Sequence, residues 1–161
     1  MLSRTNAPLI SLCLQFLAEG RPATMAGRDI GAGLASLVRK SEAPSVAGLI
    51  TWTEKWAGDE AARLARKGRD SSIATDRAEC IARIAAGART IDEVLGRLER
   101  LFSDKDEACK ILLSSTHRAK GLERDRVWML RGTYRPGESI EEDNLTYVAI
   151  TRARHELRLV A

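Results

Sequence analysis

The stretch from Lys110 to Leu130 constrains the fold more than any other. It opens on a short apolar run, Ile111 to Leu113, and closes on another, Val127 to Leu130. Between them lie Ser115, Thr116, His117, Arg118, Lys120, Gly121 and Glu123. Two short apolar runs joined by a charged, glycine-containing link read as buried strands of a parallel sheet. The link is about twice the length of common hairpin loops, which argues against antiparallel pairing. In open α/β sheets ligands sit beyond the carboxyl ends of the strands, so Thr116 to Glu123 is the expected ligand-facing segment. An ordinary charged loop is the alternative reading of the same residues.

The remaining chain is mostly helical in pattern. Leu9, Leu12, Cys13, Phe16 and Leu17 recur at helical spacing behind Asn6, a candidate N-cap, and the pattern stops at Gly20. This apolar run imitates a signal peptide. However, Gln15 interrupts it, Glu19 follows it and no small-x-small cleavage site closes it. Pro22 to Ala26 is a brief strand candidate, and Gly27 to Gly33 is a turn entering a helix through Lys40. Those glycines lack the Lys-Ser/Thr ending of a phosphate loop. Residues 42–107 read as helices throughout, with Ser45 as a cap, breaks at Gly68 and Gly87, and a capping box at Thr90-Ile-Asp-Glu93. Trp52 and Trp56, four apart, suit either a base-stacking platform or the core face of a helix. A second capping box, Ser139-Ile-Glu-Glu142, starts a helix that delivers Arg152 near its end, and residues 156–161 form a closing strand.

Charge is unevenly spread. Residues 1–41 hold five Lys/Arg against two acids and residues 108–161 hold ten against seven, whereas 42–107 hold eleven against thirteen. Positive charge at the two ends is the footprint a polyanion needs. Cys13, Cys80 and Cys109 are widely spaced with no C-x-x-C pair, which argues against a disulfide framework or zinc site and suits a reducing, cytoplasmic location. No segment approaches the ~20 apolar residues of a membrane span.

Ser114 to Glu123, reading Ser-Ser-Thr-His-Arg-Ala-Lys-Gly-Leu-Glu, resembles motif V of the UvrD/Rep-type superfamily-one DNA helicases. Tyr147-Val-Ala-Ile-Thr-Arg-Ala-Arg154, preceded by Glu141-Glu-Asp-Asn-Leu145, is similar to their motif VI, and Arg4-Thr-Asn6 to the signature heading the same domain. The resemblance spans roughly residues 1–33 and 108–161. It implies an α/β fold, a RecA-like, mostly parallel sheet flanked by helices with a small all-helical insertion. The domain would run from 1–41 into 108–161, with 42–107 as the insertion.

The resemblance also implies roles. Motif VI assigns Arg152 as an arginine finger on the γ-phosphate of ATP, and motif V assigns Glu123 to a ribose hydroxyl, with Lys120 and Gly121 shaping the nucleotide-binding loop. Arg4, Asn6, Thr116 and His117 match positions that touch single-stranded DNA. Arginine suits phosphoryl transfer because its charge is permanent and its fork holds two oxygens. The helix dipole offers Arg152 a purely local role, a salt bridge with Arg124 or Arg126 would occupy Glu123, and Asn6 has the competing duty of helix cap. No G-x-x-x-x-G-K-[ST] occurs, and no Asp-Glu pair stands at a strand end for Mg²⁺. Almost none of the strand that precedes Arg-Thr-Asn in the family is present, which suggests a late start or the second piece of a divided gene. The expectation is a C-terminal motor half that binds ATP with Mg²⁺ jointly with an N-terminal RecA-like domain in cis or trans, and is inactive alone. The alternatives are a stand-alone nucleic-acid-binding or regulatory module and a gene remnant.

Overall fold

The computed structural model describes residues 1–102 and 111–160. In chain order the elements are β1 (Leu2–Ser3), α1 (Ala7–Ala18), β2 (Ala23–Met25), α2 (Arg28–Lys40), α3 (Val46–Arg66), α4 (Ser72–Ala85), α5 (Ile91–Leu101), β3 (Ile111–Ser115), β4 (Arg124–Leu130), a 3-10 turn (Arg131–Thr133), α6 (Ile140–Ile150) and β5 (Ala153–Val160). They form two compact units, a sheet unit of Met1–Gly27 with the described residues from 111 onward, and a helical unit from Arg28. The expected start of the insertion at residue 42 and this boundary differ by α2, which packs on α4 and α5. The other expected boundary, 107/108, and Cys109 lie outside the described residues.

All strand pairs in the sheet are parallel, in the order β2-β3-β1-β4-β5. This is the α/β, RecA-like arrangement expected from the motifs. β1 has only two residues yet holds the centre, because Leu2 and Ser3 are both buried between neighbours on either side. Chain direction reverses its sense of travel here: β1 leads through α1 outward to β2, while β4 leads through α6 outward to β5. Val127, Met129 and Leu2 pack with Ala149 of α6, Tyr134 and Ala119 in one apolar cluster.

Register decides where the long link goes. Leu2 is level with Ser114 on one side and with Met129 on the other. Thr116 therefore lies past the carboxyl end of β3, while Arg124 begins β4 about 20 Å away at the amino end, at ~3.3 Å per residue. The link between them crosses the sheet, burying Ala119 on the way. The expectation that all of Thr116 to Glu123 stands at the carboxyl edge is corrected accordingly. Two parallel strands start at the same edge, so their connection must travel the full strand length.

In the helical unit, Leu49, Ile81, Ile84, Val94, Leu98 and Leu101 are completely or almost completely buried. Ser45 Oγ accepts from Gly48 N at 3.2 Å and opens α3. Thr90 Oγ1 accepts from Glu93 N at 3.2 Å, but the return bond of the expected box lands one residue early, from Arg89 N to Glu93 Oε2 at 2.9 Å. Gly31 lies inside α2 rather than in a loop, and a Cβ there would stand 2.7 Å from the Phe102 side chain, so close packing explains this glycine. Trp52 and Trp56 are half-buried on α3.

Candidate functional site

The predicted residues sort to opposite ends of the sheet. At the carboxyl end, the residues following β1, β3 and β4 interlock. Ser3 Oγ donates to Thr133 Oγ1 at 3.2 Å, Arg4 N donates to the same oxygen at 3.1 Å, and the Thr133 hydroxyl donates to Leu130 O at 2.8 Å. Thr116 is fully buried; its hydroxyl pairs with the Tyr134 hydroxyl and donates to Ser3 O at 3.2 Å. Burial pushes the Tyr134 phenol up to about 12, since a phenolate there would lose its water. The Thr116 hydroxyl is thus engaged inside the protein.

Arg4 is also turned inward. Its Nε donates to Glu142 Oε1 at 2.7 Å, and the two side chains are only 17% and 14% exposed. Glu142 N donates to Ser139 Oγ at 3.2 Å, as a capping box requires, but the glutamate side chain reaches Arg4 instead of the cap. Asn6 occupies the N-cap position of α1 with its backbone already helical, at φ −86° and ψ −31°, and its side chain makes no cap bond. The helix opens through Ile10 N donating to Asn6 O at 3.1 Å. Among the predicted carboxyl-end residues, His117 has the open side chain, with Nε2 4.0 Å from Glu141 Oε1.

The amino end is built differently. Arg152 follows the C-cap of α6 and stands immediately before β5. Its Nε donates to Val148 O at 3.0 Å, its Nη2 to Thr151 Oγ1 at 3.0 Å, and its Nη1 to Leu122 O at 3.4 Å. The first bond answers the helix dipole, and the second holds the guanidinium against the Thr151 hydroxyl. The third ties the guanidinium to the residue preceding Glu123. Backbone pairing reinforces this, with Arg124 N donating to Arg152 O at 3.0 Å. Glu123 Oε2 accepts from Arg154 Nε at 3.1 Å. Its expected salt-bridge alternatives were Arg124 and Arg126, and Arg124 instead donates to the Glu123 backbone carbonyl at 2.9 Å. Gly121 turns the loop at φ +82°, where side chains are strained, and nothing lies close enough to crowd a Cβ. Its role is therefore conformational. Lys120 beside it is exposed.

The structure thus brings Arg152, Glu123, Gly121 and Lys120 to one end of the sheet, and Arg4, Asn6, Thr116 and His117 to the other. Tyr134, Glu142 and Arg154 were not singled out from sequence. Nothing in the chain marks Tyr134, whereas Arg154 shares a motif with Arg152 and begins the strand beside Glu123. Among the described residues no His/Cys/Asp/Glu cluster suits a metal ion, and no helix is long and apolar enough to cross a membrane.

No curated protein is a significant match to the chain. The stretch that holds β3, β4, α6, β5, Glu123 and Arg152 does find its family: residues 110–160 match the model of the UvrD-like helicase C-terminal domain, so this part of the sheet unit is of the UvrD/Rep type.

Proposed function

We propose that the chain is the C-terminal motor half of an ATP-dependent DNA helicase, supplying Arg152 and Glu123 to a nucleotide held mainly by a Walker-bearing N-terminal RecA-like domain. The observation that carries this reading is the tie of the Arg152 guanidinium to the loop that ends in Glu123. One fork cation and one carboxylate, adjacent and reachable from solvent, match the two needs of a bound ATP: charge on the γ-phosphate and an acceptor for a sugar hydroxyl. Their position at the amino ends of β4 and β5 supports a role in trans. A domain that holds a nucleotide by itself does so at the carboxyl ends of its strands.

Mg²⁺ would arrive with the nucleotide and neutralise charge on its phosphates, held by the other domain. Single-stranded DNA would cross the opposite end of the sheet, near His117. Closure of two such halves on ATP would then shift the DNA contacts relative to one another. A cytoplasmic location fits this reading.

The test is reconstitution. Mixing this chain with a Walker-bearing half is expected to give DNA-stimulated ATP hydrolysis, and Arg152→Ala is expected to lower it by about 10³-fold or more, as for arginine fingers generally. Hydrolysis unchanged by Arg152→Ala would refute the finger. A chain that binds DNA but supports no hydrolysis with any such half would instead be a stand-alone binding module.

A further inference from the structure

We infer that Arg154 is a positioning residue: it holds the Glu123 carboxylate by one oxygen so that the other faces the nucleotide sugar. The inference rests on the nucleotide reading above and adds to it the residue that sets sugar selectivity.

The pairing of β4 with β5 is not regular: Arg124 is opposite Ala153 and Arg126 opposite Glu156, so three steps of β5 match two of β4. A bulge of this kind bends the strand and re-aims a side chain. It lies at Arg154 and His155, and the Arg154 Nε meets Glu123 Oε2 at 3.1 Å. Among the described residues no donor reaches Glu123 Oε1. A hydrogen bond at one carboxylate oxygen restricts the rotation of the group and leaves the other oxygen for a ligand. Backbone bonding fixes the base of this device, because Arg124 N is tied to Arg152 O and the Arg124 guanidinium to Glu123 O. As a source of stability the pair has little value, since its side chains are 58% and 49% exposed. Orientation is the role that such an exposed pair can still perform.

The experiment titrates the chain, mixed with a Walker-bearing half, with Mg·ATP, Mg·2′,3′-dideoxyATP and inorganic triphosphate, following the Gly121 and Glu123 amide signals by NMR. The unaltered chain is expected to prefer ATP over the dideoxy compound by about tenfold or more, the size of one hydrogen bond to a charged group. Glu123→Gln is expected to erase that preference. Arg154→Gln is expected to reduce it to near unity while triphosphate binding changes less than twofold, and Arg154→Lys to restore part of it. If Arg154→Gln keeps the preference while Glu123→Gln loses it, the sugar contact stands and the role of Arg154 falls. If Arg154→Gln weakens all three ligands equally, Arg154 is a general electrostatic contributor and the positioning role falls. If the unaltered chain shows no preference, both the sugar contact and the positioning role fall.

Discussion

The two ends of the parallel sheet use similar residues for opposite purposes. At the carboxyl end, Arg4, Glu142, Thr116, Tyr134 and Thr133 are turned toward one another, and Thr116 has no exposed surface at all. At the amino end, Glu123 and Arg154 are paired but half in water, and among the described residues Arg152 is bound to backbone carbonyls and a hydroxyl. The protein satisfies most of the buried polar groups at the carboxyl end, with Glu142 Oε2 buried and without a hydrogen-bond partner among the described residues, and these groups hold β1, β3 and β4 in place. Groups at the amino end can exchange a weak partner for a ligand at little cost. Under the proposed function, the residues assigned to the nucleotide stand at the end of the sheet opposite to the one where ligands generally gather.

Substitutions at the two ends sharpen this contrast. The largest effect is expected from Arg4→Ala, which leaves the Glu142 carboxylate largely buried and uncompensated; a loss of about 3 kcal/mol should appear as a lower urea midpoint. Adding Glu142→Ala should cost much less than a second such loss, as a double-mutant cycle will reveal. If both changes are neutral and additive, the carboxyl end is no more committed than the amino end.

Next in size is an alkaline effect at Tyr134. Its folded pKa, about 12, lies above the ordinary value of 10. The unfolded chain therefore loses the proton first, and stability is full below pH 10 and declines between pH 10 and 12. The difference between the unaltered chain and Tyr134→Phe should shrink by about 2 kcal/mol over that window. A pH-independent difference would mean that the phenol titrates normally.

Gly121→Ala forces a side chain into the left-handed region and should cost about 1 kcal/mol, read as a shift in melting temperature. The smallest effects are expected where the contrast is strongest. Glu123→Gln and Arg154→Gln should each change stability by less than about 0.5 kcal/mol in urea titrations. A loss comparable to that of Arg4→Ala would show that the amino end, too, is a structural clamp.

Much of this was legible in the chain. The caps at Ser45, Thr90 and Ser139 and the stops at Gly20, Gly68 and Gly87 depend on residues a few positions apart, and each appears where local chemistry puts it. The brief strand at Ala23–Met25 and the apolar runs of β3 and β4 were equally readable. Arg152 and Glu123 stood out through motif wording, and their adjacency follows from the pairing of β4 with β5. The partners of Arg4 and Thr116 were not readable, because Glu142 is 138 positions and Tyr134 18 positions away. Nor was the Gly31 contact with Phe102, which needs α2 and α5 side by side.

The sequence by itself determined the α/β class and the helix caps and stops, since these depend on short-range periodicity and capping, while the motif residues stood out through resemblance to a family. Only the tertiary structure decided which end of the sheet each predicted residue occupies. Strand register sets that, through hydrogen bonds between segments more than a hundred residues apart. Register also separates the residues buried in holding the sheet from those left half in water.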